Sequence, residues 1–320
     1  MARKLRVQYP GAMYHVMNRG DRREAIFTDE EDHKRFLVTL GEACEKTCWQ
    51  VHAFCLMSNH FHLVIETPQP NLVVGMKWLL GTYTSRYNRR HKEFGHLFSG
   101  RYKALPVDGS GTGYLKTACD YVHLNPARAK LLRPDQPLES FRWSSYRLYL
   151  APPSRRPMWL RADRLLGEWG IQKDSPAGRC VFKQHMERRR LKDLDKTFKR
   201  LERGWFLGGE DFKQELLAQV DTAPGPSHFG DMLHEAIEAR AERLLNEALT
   251  RMGWTKQHLH ARLKGDPHKV AIARQLRAQT TMSMAWIAEH LAMGSRGYLA
   301  WLLQRPSTAE PNNRQPLLGF

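Results

Sequence analysis

Two apolar runs, residues 50–57 and 60–65, are separated only by Ser58-Asn59. Both are rich in strand formers, and a short polar pair between such runs reads as a β-hairpin. A lone hairpin is at best marginally stable in water, so this one must pair with further strands or pack against helices. Upstream, residues 14–18 read as a short strand ended by Arg19-Gly20-Asp21. Thr28-Asp29-Glu30-Glu31 is a capping-box pattern that opens a helix with Phe36, Leu37, Leu40, Ala43 and Cys44 on its apolar stripe. Downstream, Asn71 is placed to cap a helix carrying Leu72, Met76, Leu79, Leu80, Tyr83 and Tyr87, and residues 100–107 read as another strand. Residues 109–113 form a flexible loop, and Tyr114 to Leu124 is a helix that Pro126 stops. The order β-α-β-β-α-β-α predicts an α+β fold, a single antiparallel sheet with helices on one face.

The hairpin also carries chemistry. Along a strand, residues i and i+2 share a face, so His60 and His62 can grip one divalent metal. Their strand is otherwise strongly apolar, where two imidazoles need a reason to be present; the plain alternative is a pair of core-satisfied or solvent-facing histidines. On the later helix, Tyr121 and Asn125 stand at i and i+4 and can face one site. Tyr121 suits a nucleophile or a core aromatic, since Tyr114, Leu115, Ala118 and Val122 already give that helix an apolar face. Asn125 suits a third ligand through its side-chain oxygen, or a plain helix stop before Pro126. Two imidazoles, a carboxamide and a phenol together make a site for metal-assisted phosphoryl transfer. A bound cation would offset the charge developing when a phenol of ordinary pKa ~10 attacks phosphorus.

The chain carries a formal net charge of +17 over 320 residues, which points to a polyanionic partner, most often nucleic acid. Candidate contacts interleave cations with aromatics: an N-terminal arm of Arg3, Lys4 and Arg6; the helix end Arg86, Tyr87, Arg89 and Arg90; and Arg101, Tyr102 and Lys103 on a strand. Solvated surface is the plainer reading of any one of them. No apolar run approaches the ~18 residues a spanning helix needs, the basic N-terminus has no apolar stretch behind it, and five scattered Cys suit free thiols. These features predict a cytoplasmic, nucleoid-associated protein with no membrane partner.

Past residue 150 the character changes. Residues 151–157 are Pro- and Arg-rich and read as a linker, and 158–222 are basic and helical in tendency, with Arg188, Arg189, Arg190, Lys192, Lys196, Lys199 and Arg200 close together. A break at 224–227 precedes a charged helical pattern from 231 to about 251. Residues 261–305 resemble a helix-turn-helix: Ile287, Ala288 and Leu291 would pack its first helix, Tyr298 and Leu302 its second, and Arg296 would face duplex DNA. Ala292 stands where the turn usually has Gly, and Gly294 where a Ser or Thr cap is common, so a scaffolding helical hairpin is the alternative. Residues 306–320 are polar and Pro-rich, and read as a disordered tail.

Residues 59–64 (Asn-His-Phe-His-Leu-Val) joined to Tyr121-x3-Asn125-Pro126 resemble the HUH single-tyrosine transposases. The pieces at 14–20, 100–103 and 143–146 narrow the resemblance to the REP-associated tyrosine transposase branch of the IS200-like transposase family, over residues 3 to about 150. The resemblance implies a ferredoxin-like HUH nuclease core over 1–150; the residue pattern beyond it adds a basic helical extension (151–260), the helix-turn-helix-like module (261–305) and the tail (306–320). It implies magnesium or manganese held by His60, His62 and Asn125, and attack by Tyr121 on a single-stranded DNA hairpin. The product would be a 5′-phosphotyrosine and a free 3′-hydroxyl, and the acting species a monomer or homodimer. The alternatives are a non-cleaving protein that binds or represses repeat hairpins, and a rolling-circle replication initiator or relaxase.

Overall fold

The computed structural model describes residues 7–191, 198–199, 201–202, 204–222 and 228–305. They fall into two compact units, the first ending at Thr222 and the second lying within residues 223–317.

The first unit begins with β1 (Ala12–Arg19), α1 (Glu30–Thr47), β2 (Gln50–Met57), β3 (His60–Thr67), α2 (Leu72–His91), β4 (Lys103–Val107) and α3 (Tyr114–Arg128), in the anticipated order. The strands form one antiparallel sheet in the order β2-β3-β1-β4, the ferredoxin-like arrangement. Helices cover both sheet faces, not one. On one face Phe61 of β3 meets Phe36 of α1 at 5.0 Å, and Phe36 meets Tyr83 of α2 at 5.0 Å. On the other, Tyr121 of α3 lies against His15 of β1 and His62 of β3. The reason is visible in β2, buried at every position after Gln50: a strand apolar on both sides needs cover on both sides.

Both sheet edges are protected. Pro106, which has no N–H to donate, lies on edge strand β4, whose outer side pairs with the backbone of Leu207. The outer side of β2 bonds to the backbone at Trp143, Ser145, Trp159 and Arg161. Covered edges remove the templates for intermolecular pairing.

Local chemistry sets the helix ends. Asp29 caps α1 by accepting from the Asp32 N–H at 3.1 Å, and the Asp32 carboxylate accepts from the Thr28 N–H at 3.0 Å. This is a reciprocal cap displaced one residue from the anticipated pattern. Asn71 precedes α2 but does not cap it; its side chain instead accepts from the Trp49 indole at 2.7 Å and donates to the Thr47 carbonyl at 2.9 Å. Helix α3 runs through Pro126 to Arg128 rather than stopping before it. Pro126 has no N–H to donate to the Val122 carbonyl, and the helix ends two residues later.

The first unit also continues past residue 150. The segments α4 (Tyr146–Leu150), α5 (Asp163–Glu168) and α6 (Pro176–Arg190) pack onto the same core, where Phe182 stacks on Tyr149 at 5.3 Å. The Pro-rich stretch expected to be a linker is tied down by Arg156. Its guanidinium donates to the Leu148 and Ala151 carbonyls at 2.8 Å each and pairs with Asp174.

In the second unit, helices His228–Arg251, Lys256–Ala261, Pro267–Gln279, Met284–His290 and Arg296–Gln304 enclose a core that includes Leu245, Leu249, Ile272, Leu276, Ile287, Leu291 and Leu299. Lys269 is fully buried and donates to the Arg262 and Ala292 carbonyls, both at 3.2 Å. Among the described residues no helix is long and apolar enough to cross a membrane. All five cysteines are free, with Cys44, Cys55 and Cys119 buried and Cys48 and Cys180 exposed.

Candidate active site on the histidine face

Strand alternation puts His60 and His62 on one face of β3, their ring centroids 5.1 Å apart and nearly perpendicular. Antiparallel register sets Arg19 of β1 opposite His60 and Met17 opposite His62. His15 shares the face of Met17 and so lies diagonal to His62. Its Nε2 is 3.0 Å from His62 Nδ1, with the ring planes 11° from parallel and the centroids 5.2 Å apart. His60 Nδ1 is 2.7 Å from Asn59 Oδ1. Each metal-candidate imidazole thus has its Nδ1 engaged.

Helix α3 crosses this face with Tyr121 inward, its ring 5.4 Å from that of His15 and 5.6 Å from that of His62. Asn125 follows one turn later on the same side of the helix, and both are largely buried, at 8% and 7% exposure. Two turns beyond Tyr121, Arg128 folds back over the phenol, 4.8 Å from the ring centroid, while its Nη2 holds Glu202 at 2.7 Å. Phe198 closes the remaining side, 5.3 Å from the Tyr121 ring.

The electrostatics follow from burial. Desolvation pushes His15 and His60 down to about 4 and His62 well below the ordinary imidazole range, so all three are neutral at pH 7. Desolvation also pushes the Tyr121 phenol up, and the hydrogen bond and charge of Arg128 pull it back. The Nε of Arg19, beside His60, is buried and has no hydrogen-bond partner among the described residues.

Neighbours on α3 turn away from this face. His123 bonds Ser145 Oγ at 2.8 Å. Asp120 is fully buried, and burial raises its carboxyl to about 7 against the pull of Arg189 and Lys116. Arg189 Nε lies 2.9 Å from Asp120 Oδ2, near enough for an ion pair, although neither carboxyl oxygen accepts a well-aligned hydrogen bond.

Neutral, oriented imidazoles suit a divalent metal. No cluster of three His, Cys, Asp or Glu that could hold a metal occurs among the described residues. A third protein ligand beside His60 and His62 would therefore have to be a carboxamide or another oxygen, and Asn125 is the carboxamide on the facing helix. The donor set fits. Glu66, on the same strand face, does not join it: its Oε2 is held by His52 at 3.0 Å, Arg164 at 3.2 Å and Arg161 at 3.4 Å.

The other anticipated residues are dispersed. Arg86 donates to Glu42 at 2.8 Å and to Thr39, and Arg90 pairs with Asp32 at 2.7 Å and with Asp29. Both therefore join α1 to α2 on the sheet face opposite the histidines. Tyr102 packs into the core, whereas Arg89, Arg101 and Lys103 are exposed. Arg3, Lys4 and Arg6 lie outside the described residues, as do Lys192, Lys196, Arg200, the break at 224–227 and the tail at 306–320. In the second unit Arg296 is exposed at the start of its helix and Leu302 is buried, but Tyr298 is 39% exposed instead of packing inward. The cap of that helix is Ser295, which accepts from the Tyr298 N–H at 3.2 Å, and Ala292 takes the left-handed turn conformation at φ 49°.

Three residues of this face, His15, Arg19 and Arg128, receive no role in the site from the sequence, although His15 and Arg19 lie in the 14–20 piece that carries part of the resemblance. A signal for His15 exists, since it too is an imidazole in an apolar strand; Arg19 and Arg128 need the register and the helix return.

Residues 8–125 match the family model described as "Transposase IS200 like". A solved structure of a REP-associated tyrosine transposase bound to a REP hairpin is similar at 12% identity and a TM-score of 0.40, covering 51% of this chain and 93% of that one. No curated protein matches the chain. The segment matched by the family model contains β1 to β4 and ends on Asn125, so it holds His15, His60, His62 and Tyr121 together, and over residues 8–125 this chain is similar to the IS200-like transposases.

Proposed function

We propose that the chain is a metal-dependent strand transferase for single-stranded hairpin DNA, with Tyr121 as its nucleophile. The observation that carries this reading is the phenol ring lying 5.6 Å from the ring of His62, on the one sheet face that bears His60. Tyr121 Oη would attack the scissile phosphorus. The Oη–P bond forms, the P–O3′ bond breaks, and the 3′ oxygen leaves as a hydroxyl. The phosphate stays on the enzyme as a 5′-phosphotyrosine, and attack by another 3′-hydroxyl reverses the step without external energy. Magnesium or manganese, held by His60, His62 and Asn125, would polarise the phosphate and offset its growing charge. Arg128 lowers the cost of the phenolate, and Arg19 offers a cation beside His60 for a phosphate oxygen. We assign residues 1–150 to catalysis, 151–260 to a basic extension and 261–305 to duplex DNA contact through Arg296, as a helix-turn-helix-like module; the chain would act as a monomer or homodimer.

A second reading is favoured by one observation: Tyr121 is only 8% exposed, under Phe198 and Arg128. A protein that binds repeat hairpins without cutting them could keep its tyrosine covered. Incubation with labelled single-stranded hairpin DNA and Mn²⁺, followed by a denaturing gel, separates the two. The transferase gives a covalent protein–DNA band that Tyr121→Phe abolishes; tight binding with no such band supports the non-cleaving binder.

A further inference from the structure

Building on the metal site proposed above, we infer that His15 is a positioning residue: it accepts a hydrogen bond from His62 Nδ1–H and so holds His62 in the tautomer whose Nε2 lone pair is free for a metal. The two nitrogens stand 3.0 Å apart, and one proton must lie between them. If His15 donated, His62 would carry its own proton on Nε2, and that nitrogen could not ligate. Only the opposite direction leaves His62 competent.

Three features make this more than a chance contact. The ring planes lie 11° from parallel with centroids 5.2 Å apart, the side-by-side arrangement that an in-plane N–H···N bond requires. Both side chains are buried, His15 at 3% and His62 at 2% exposure, so water does not compete for the bond. The Tyr121 ring packs steeply inclined to both imidazoles, at 5.4 and 5.6 Å, so one phenol abuts the hydrogen-bonded pair. The device is the one His60 receives from Asn59 at 2.7 Å, built here from an imidazole acceptor two positions along the neighbouring strand. Free histidine in water prefers the opposite tautomer, so the His62 form is a signature that packing alone would not create.

Nitrogen-15 NMR of the imidazoles in the intact, metal-free protein tests the tautomer directly, without any variant. His62 is expected as Nδ1–H and His15 with an unprotonated Nε2. Mn²⁺ affinity, read by electron paramagnetic resonance, is expected to fall roughly 10- to 100-fold in His15→Phe. It should recover in His15→Gln, whose Oε1 can accept the same bond. His62 in the Nε2–H form, or His15→Phe binding Mn²⁺ as tightly as the wild type, overturns the inference while leaving the metal site standing. A wild-type protein that binds no Mn²⁺ overturns the metal site and the inference with it. Should His15→Phe fail to fold, the wild-type tautomer and the affinity of His15→Gln decide the matter.

Discussion

At the scale of single residues, burial decides most of the chemistry, and it does so in opposite senses for acids and bases. Three imidazoles are held neutral, while one carboxyl, Asp120, is raised to about 7. In the unfolded chain an aspartate titrates near ~3.9. Between that value and about 7 the folded protein keeps a proton that the unfolded chain has already lost, so stability falls as pH rises across this window and levels off above it. Asp120→Asn should flatten that part of the profile; urea midpoints at several pH values from 5 to 8 that decline equally in both proteins would contradict it. Arg128 gives a second prediction. Its hydrogen bond and charge lower the Tyr121 phenol against burial, so Arg128→Met should move the rise in adduct formation to higher pH. At neutral pH the rate should drop roughly tenfold for each pH unit by which that midpoint moves. A pH–rate profile that merely scales down, with its midpoint unmoved, would assign Arg128 to packing instead.

Elements are legible in the sequence where their cause is local. The hairpin follows from alternation and a two-residue turn, α1 from its acidic cap, and the shared face of His60 and His62 from the two-residue period of a strand. What stays hidden depends on partners distant in sequence. The diagonal contact of His15 with His62 needs the β1–β3 register, and the cover over Tyr121 needs Phe198 to return from far along the chain. The charge run at the end of α2 reads as DNA contact, yet Arg86 and Arg90 neutralise Glu42, Asp29 and Asp32, acids that the sequence places some fifty residues away. Packing between α1, α2 and the sheet is close enough to leave one position without slack. A Cβ built on Gly75 of α2 would sit 2.1 and 2.5 Å from two carbons of the Trp49 ring. That ring cannot swing aside freely, since its N–H is bonded to Asn71 at 2.7 Å. Gly75→Ala should therefore destabilise by about 1–3 kcal/mol despite the better helix propensity of alanine. A urea midpoint at or above that of the wild type would show that α2 can shift.

At the scale of the whole molecule, charge is the dominant property, and its effect is separable from chemistry. A net +17 remains after every acid has been counted, so the internal ion pairs around α1 and α2 draw nothing from it, and the surplus attracts any polyanion that approaches. Binding driven by phosphate neutralisation releases counterions, and a footprint of about 6–10 phosphate contacts loses roughly 10³- to 10⁵-fold in affinity between 50 and 200 mM salt. Fluorescence anisotropy of a labelled hairpin should show that slope in the wild type and in Tyr121→Phe alike, because the phenol makes no contribution to long-range attraction. The two compact units divide the remainder of the prediction. If catalysis belongs to the first and duplex contact to the second, Arg296→Ala in the full chain should leave the covalent band on hairpin DNA unchanged while weakening duplex binding, with a salt slope shallower by about one. A loss of the covalent band in Arg296→Ala, or duplex binding that ignores the substitution, would overturn this division of roles.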